Sequence, residues 1–266
     1  CKQKIQINIS DRRHEDSRQG AGCGEEVLTR LQLFIVQYSH LMKTIVVLHG
    51  WGHNKELWEN FKNTLASEAR VIALDLPGFG AEPRSKETWG IPEYKEWAKR
   101  KIEEVRDGNE VILLGHSFGG RVASLIASER PSWLKALVLY GSPSLRRPSF
   151  EIKLKIKVAK IMKRFGLKAN IVKPHSDLRI AEESGMGDIL RNIIEFDMTK
   201  ELSKISVPTL LVWGRYDKPV PLRIANEMHS LIQGSKLVIM EEVGHNAHLE
   251  NPTLFYGIIK KFIKNI

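Results

Sequence analysis

A chain of 266 residues has room for one large α/β domain or two small ones, and 42% hydrophobic with 27% charged residues is a globular composition rather than a disordered or fibrous one. The formal charge of +10 points toward acidic partners, whereas the unbroken apolar runs, such as residues 33–36 and 45–48, are far too short to span a membrane. Cys1 and Cys23 are the only cysteines and both precede the main body, so no disulfide framework is available; with no apolar signal core at the N-terminus, the expected location is cytoplasmic.

Residues 1–41 differ from the rest of the chain, with a polar, charged tract from Ser10 to Gly20 and a glycine-rich step at residues 21–24. Two expectations stand side by side. Either Met42 is the natural start and the preceding residues are a dispensable extension, or the strand-like stretches 5–9 and 31–38 add an edge hairpin to the sheet.

From Thr44 onward short runs rich in Val, Ile and Leu recur at 44–48, 71–74, 111–114, 136–140, 209–213 and 237–240. Helical spacing appears between most of them: Leu57, Phe61 and Leu65; Trp97, Lys101, Ile102 and Val105; and finally Phe255, Ile258, Ile259 and Phe262. Strands joined through helices predict an α/β fold with a mainly parallel, doubly wound sheet covered on both faces. In such a sheet ligands bind beyond the carboxyl ends of the strands. Functional side chains are therefore expected just after strands.

The stretch from Val111 to Ala127 is organised as strand, sharp turn and helix, with Gly115-His116-Ser117-Phe118-Gly119 at the turn. So tight a bend strains the serine and requires glycine on either side, where a Cβ would strike the neighbouring strand or helix. It also sets Ser117 at a helix N-terminus, whose free N–H groups and dipole favour developing negative charge. The bland alternative is a glycine-rich turn with a solvated serine. Two further loops weigh against it, because Asp217 follows the strand at 209–213 and His245 follows the strand at 237–240. A serine hydroxyl needs an imidazole to take its proton, and the imidazole needs a carboxylate to fix its tautomer. After the first strand, His49-Gly50-Trp51-Gly52-His53-Asn54 supplies a turn whose Trp51 N–H, with the Phe118 N–H, is the expected oxyanion hole. A dinucleotide-binding reading of this loop fails, since Lys55 stands where the third glycine is needed.

These pieces, together with residues 75–80 (Asp-Leu-Pro-Gly-Phe-Gly), Val220-Pro221 and Glu250-Asn-Pro252, resemble the α/β-hydrolase family over about residues 43 to 265. The loops at 49–54 and 74–80 are similar to those of the pimeloyl-carrier-protein methyl ester esterase group and of small carboxylesterases generally. The resemblance implies a cofactor-free hydrolase core at 42–142 and 207–266, interrupted by a helical cap at 143–206. Members with an aspartate nucleophile are disfavoured, because the elbow carries Ser117.

Within the insertion, residues 146–173 carry Lys or Arg at 146, 147, 153, 155, 157, 160, 163, 164, 168 and 173 against one acid, Glu151. Leu154, Val158, Ile161 and Phe165 fall at helical spacing, predicting a basic amphipathic helix. Its simplest role is to bury the apolar face and solvate the lysines; the functional alternatives are docking of an acidic acyl carrier or of an anionic surface. No nucleic-acid motif accompanies the charge. His53 and His116 flank the expected substrate pocket, which Gly50, Trp51, His116 and Phe118 would line, and are read as packing or hydrogen-bonding groups. His248 shares a helix face with His245, but no third ligand is near in sequence, so no metal site is expected. Asp75 also ends a strand, yet belongs to a Pro-Gly turn and ranks behind Asp217 as the acid. The expected activity is cleavage of a small carboxylic ester through an acyl-enzyme. Acyl transfer, haloperoxidase-like chemistry, amide or carbon–carbon cleavage could use the same groups, and a catalytically silent binding protein is the rival from another class.

Overall fold

The computed structural model describes residues 43–147 and 176–266, and between these blocks Val158, Ile161, Met162 and Arg164. Both expectations for residues 1–41, and most of the basic helix, lie outside the described residues.

Six strands, β1 (Lys43–Leu48), β2 (Ala69–Leu74), β3 (Val111–His116), β4 (Leu134–Tyr140), β5 (Thr209–Gly214) and β6 (Lys236–Met240), form one sheet in the order β2-β1-β3-β4-β5-β6. Every pairing is parallel. The elements thus match the apolar runs, with ladders that reach further than hydrophobicity alone does. Gly115 pairs with Leu48 and Leu139, and His116 pairs with Tyr140, so β3 runs on into the glycine turn.

Side chains alternate between two cores, as the two-residue period of a strand requires. Val46, Leu48, Leu113, Leu137, Leu139, Leu211 and Trp213 face one; Ile45, Val47, Ile112, Leu114, Val138, Tyr140 and Val212 face the other. The second core is closed by Phe61 and Leu65 of α1 (Glu59–Leu65) and by Phe255, Ile259 and Phe262 of the C-terminal helix at Pro252–Ile263. The first is closed by α2 (Ile91–Arg106), through Ile91, Tyr94 and Ile102, and by α3 (Phe118–Ser128), through Val122 and Ile126. A sheet buried on both faces tolerates the near-continuous apolar runs seen in the sequence.

Three further helices, α4 (Ser176–Glu183), α5 (Gly187–Glu195) and α6 (Thr199–Leu202), occupy the later part of the insertion. They are not a separate layer, because Ala181, Met186, Ile189, Leu190, Ile193 and Leu202 belong to the first core. Arg121 of α3 ties this segment down, its guanidinium donating to the carbonyls of Pro143 and Phe196. Val158, Ile161, Met162 and Arg164 are helical, as the spacing predicts. Val158 and Ile161, however, are 39% and 50% exposed rather than turned into the core. The chain is completed by α7 (Leu222–Leu231), α8 (Ala247–Glu250) and α9 (Pro252–Ile263). Among the described residues no helix is long and apolar enough to cross a membrane.

β2 lies on one side of β1 and β3 on the other, so the connections leaving β1 and β3 diverge. A crevice is left between their carboxyl ends, where ligands enter sheets of this type.

Candidate active site

At the end of β3 the chain turns so abruptly that Ser117 adopts φ 49° and ψ −113°. A non-glycine residue with positive φ costs on the order of 1–3 kcal/mol and persists only where its surroundings fix it. Here they do: the Ser117 N–H donates to Tyr140 O at 2.9 Å, and the Gly119 N–H donates to His49 O at 3.0 Å. The flanking glycines are steric requirements. A Cβ on Gly115 would lie 2.6 Å from Gly119 O, and one on Gly119 would lie 2.2 Å from Leu48 O.

The loops after β5 and β6 bring the other two groups to the same rim. His245 Nε2 lies 3.0 Å from Ser117 Oγ, and His245 Nδ1 lies 2.8 Å from Asp217 Oδ2. The Asp217 side chain is wholly buried, and its second oxygen accepts the Val220 N–H at 2.7 Å. An ionised carboxylate can only accept, so the imidazole proton belongs on Nδ1 and Nε2 turns a lone pair toward the serine hydroxyl. Such a chain of contacts can carry a proton from an alcohol to an imidazole and hold the resulting cation beside an anion. Gly141 makes room for it, because a Cβ there would stand 3.1 Å from the His245 ring and 3.2 Å from Asp217 Oδ2.

Phe118 is the first residue of α3, and N–H groups at that end have no partner within the helix. Trp51 sits on the turn after β1, its ring meeting Phe79 at 4.9 Å and Phe118 at 5.6 Å, both edge-on. Tyr94 closes on Phe118 from the other side at 4.9 Å. The result is an apolar wall next to the elbow.

Asp75 plays a different part from Asp217. Its oxygens accept the Lys55 N–H at 2.7 Å and the Ala81 N–H at 3.0 Å, and Lys55 Nζ is 3.5 Å away. Burial works to raise the carboxyl, but these donors and the lysine charge outweigh it and hold the group below its usual range. Asp75 therefore staples the loop after β1 to the loop after β2. His49 completes that staple: its Nε2 accepts the Leu76 N–H at 2.9 Å, and burial pushes it down to about 4.

The histidines group differently from their sequence order. His248 packs with His53 and His116, ring centroids 6.0 and 5.0 Å away, and stacks on Trp58 at 4.6 Å with planes 3° apart. His116 Nε2 meets His245 O at 3.1 Å, and the Tyr140 hydroxyl donates to the same carbonyl. Neither Tyr140 nor Gly141 stands out in the sequence. Both do once one asks what lies at the carboxyl end of the strand beside the elbow.

A family model described as the alpha/beta hydrolase fold matches residues 43–169 and 173–252. The chain belongs to the α/β-hydrolase family. As an α/β hydrolase it is an enzyme with wide relationships. A pimeloyl-[acyl-carrier protein] methyl ester esterase of Aeromonas hydrophila is 29% identical over 249 residues, which covers 82% of this chain and 94% of that protein. An esterase from Exiguobacterium antarcticum superposes with a TM-score of 0.65 at 24% identity, covering 84% of this chain and 92% of that one. A bromoperoxidase from Bacillus anthracis does so with a TM-score of 0.68 at 22% identity and the same coverages. At these identities the two structural likenesses speak for the α/β-hydrolase fold.

Proposed function

We propose that the protein is a serine hydrolase that cleaves a carboxylic ester through an acyl-enzyme. The observation that carries the reading is the pair of contacts from Ser117 Oγ to His245 Nε2 at 3.0 Å and from His245 Nδ1 to Asp217 Oδ2 at 2.8 Å. Ser117 Oγ attacks the ester carbonyl as His245 Nε2 takes its proton. Asp217, desolvated and held by the Val220 N–H, keeps the imidazole in the right tautomer and stabilises the imidazolium. The main-chain N–H groups of Trp51 and Phe118 receive the oxyanion of the tetrahedral intermediate. Collapse breaks the bond to the leaving alcohol, which departs with the proton from Nε2. Water then repeats the sequence on the acyl-enzyme and releases the acid.

The finer reading is an acyl group presented by an acidic carrier. It is supported by the names of relatives such as the Aeromonas protein and by the basic tract at 146–173 in the proposed cap, residues 143–206. Among the described residues of that tract, Arg147 pairs with Asp197 and Glu227, and Arg146 lies 3.8 Å from Glu195. The lysines that follow them are the ones assigned to the carrier.

A fluorophosphonate probe tests the core of the proposal. Stoichiometric labelling of the full chain is expected, lost in Ser117→Ala and in His245→Ala, together with a fall in p-nitrophenyl ester hydrolysis of about 10⁴-fold or more. Labelling that survives Ser117→Ala would remove the assignment.

A further inference from the structure

We propose that His53, His116 and His248 form a binding site for a borderline divalent cation of the zinc type, lying beneath the rim that carries Ser117 and His245. One ring nitrogen from each of the three lies within 4.8 Å of one from each of the others. His116 and His248 are each only 1% exposed. His53 Nδ1, His116 Nδ1 and both nitrogens of His248 are buried without a hydrogen-bond partner. Buried polar atoms are almost always satisfied, so unpartnered imidazole nitrogens brought this close from three separate segments call for an acceptor of electron pairs.

The orientation of His116 fits a ligand. Its Nε2 faces the main-chain carbonyl of His245 at 3.1 Å, which fixes the proton there and leaves the Nδ1 lone pair free. Metal-bound histidines characteristically anchor their second nitrogen on a carbonyl or carboxylate in this way. At Gly50 a Cβ would come within 2.8 Å of that Nδ1, so the bare backbone keeps its approach open. His49, a few residues away, is the contrasting case: both its nitrogens are engaged, with Gly50 O and with the Leu76 N–H. His116 is further braced by stacking on Tyr140 at 4.5 Å, and His248 by Trp58.

Zn–N bonds of about 2.0–2.1 Å at tetrahedral angles separate neighbouring ligand nitrogens by roughly 3.3 Å. The present nitrogens must therefore close by no more than roughly 1.5 Å. Half-buried His53, on the turn closed by its own N–H to Gly50 O at 3.2 Å, can supply most of that movement. Burial lowers the proton affinity of all three rings, which keeps them neutral as ligation requires. Three imidazoles favour zinc, nickel or copper over magnesium or calcium. The fourth position would be held by water. An ion here cross-links the turn after β1, the end of β3 and α8, which carry or adjoin Trp51, Ser117 and His245.

The site stands independently of the ester-hydrolase reading, and the test separates them. The metal-stripped full chain is titrated calorimetrically with Zn²⁺, and Co²⁺ replaces it for absorption spectroscopy. Expected are one Zn²⁺ per chain, the visible absorption of four-coordinate cobalt, and a rise in Tm of roughly 5 °C or more at a hundredfold excess over Kd. Affinity falls at least tenfold in His53→Ala and in His248→Ala, whereas Ser117→Ala keeps the zinc while losing the fluorophosphonate label. His53→Ala, at the half-buried position, decides the matter should His248→Ala fail to fold. Absence of stoichiometric binding, or binding unchanged in His53→Ala, overturns the proposal.

Discussion

The Tyr140 hydroxyl donates a hydrogen bond to the main-chain carbonyl of His245, the oxygen that His116 Nε2 meets at 3.1 Å. The proposed base is thus gripped through its backbone by residues of the two neighbouring strands, β4 and β3. Tyr140→Phe removes one of the two donors without changing the shape of the core. Stability should fall by about 1 kcal/mol. Because the ring of His245 loses alignment rather than chemistry, kcat should drop roughly tenfold with KM nearly unchanged. Steady-state kinetics on a p-nitrophenyl ester reads this directly, and an unaltered kcat would deny Tyr140 a positioning role.

Two glycines make a contrasting pair. A Cβ on Gly119 would lie 2.2 Å from a main-chain oxygen of β1, and neither α3 nor the sheet can yield cheaply. Gly257, inside α9, has nothing within 4 Å of the same construction. Gly119→Ala should cost at least about 2 kcal/mol, while Gly257→Ala should gain up to about 1 kcal/mol by restricting the unfolded chain and improving helix propensity. Urea denaturation midpoints moving in opposite directions are the expected result. A tolerated alanine at 119 would mean that the elbow is looser than its geometry indicates.

The strands and the candidate triad were legible because both are written in patterns a sequence displays. Runs such as 111–114 and 209–213 are buried on both faces, and the rule that ligands sit beyond strand ends selects Asp217 and His245 without any coordinates. What stayed hidden depends on side-by-side placement of strands. Tyr140 reads as one more apolar strand residue until β4 is seen to lie beside β3. His248, three residues after His245, suggests a pair with it; folding instead turns His248 inward to His53 and His116, which are far away along the chain. Val158 and Ile161 show the opposite limit, since helical spacing predicts which residues share a face but not what that face meets.

The basic tract gives a prediction about substrate presentation. Long-range attraction between a positive surface and an acidic carrier weakens as salt shortens the Debye length from about 10 Å at 0.1 M toward about 3 Å at 1 M. Charge reversal at Lys153, Lys157, Lys160 and Lys163 should therefore lower kcat/KM for a carrier-bound acyl ester by roughly tenfold or more at low salt, with little effect on a p-nitrophenyl ester. Raising the salt should bring wild type and variant together. Equal salt responses for the two substrates would leave the tract without a docking function.

Buried imidazoles also set how the fold responds to acid. Burial pushes His49 down to about 4 and His248 to about 3, and it holds His116 well below the ordinary histidine range. In the unfolded chain these rings recover a pKa near 6.5. Between about 6.5 and 4 the unfolded state therefore binds protons that the native state refuses. Stability is complete above that window and declines as pH falls through it. His49 and His248 each contribute on the order of 1 kcal/mol between about pH 7.5 and about pH 5.5, and His116 acts in the same direction. Denaturant titrations at the two pH values, with a chelator present to keep metal out of the balance, measure the sum. His248→Gln should reduce the difference by on the order of 1 kcal/mol whatever it does to stability at neutral pH, because the remaining rings still resist protonation. A pH difference that the substitution leaves unchanged would show that His248 takes up its proton in the folded chain.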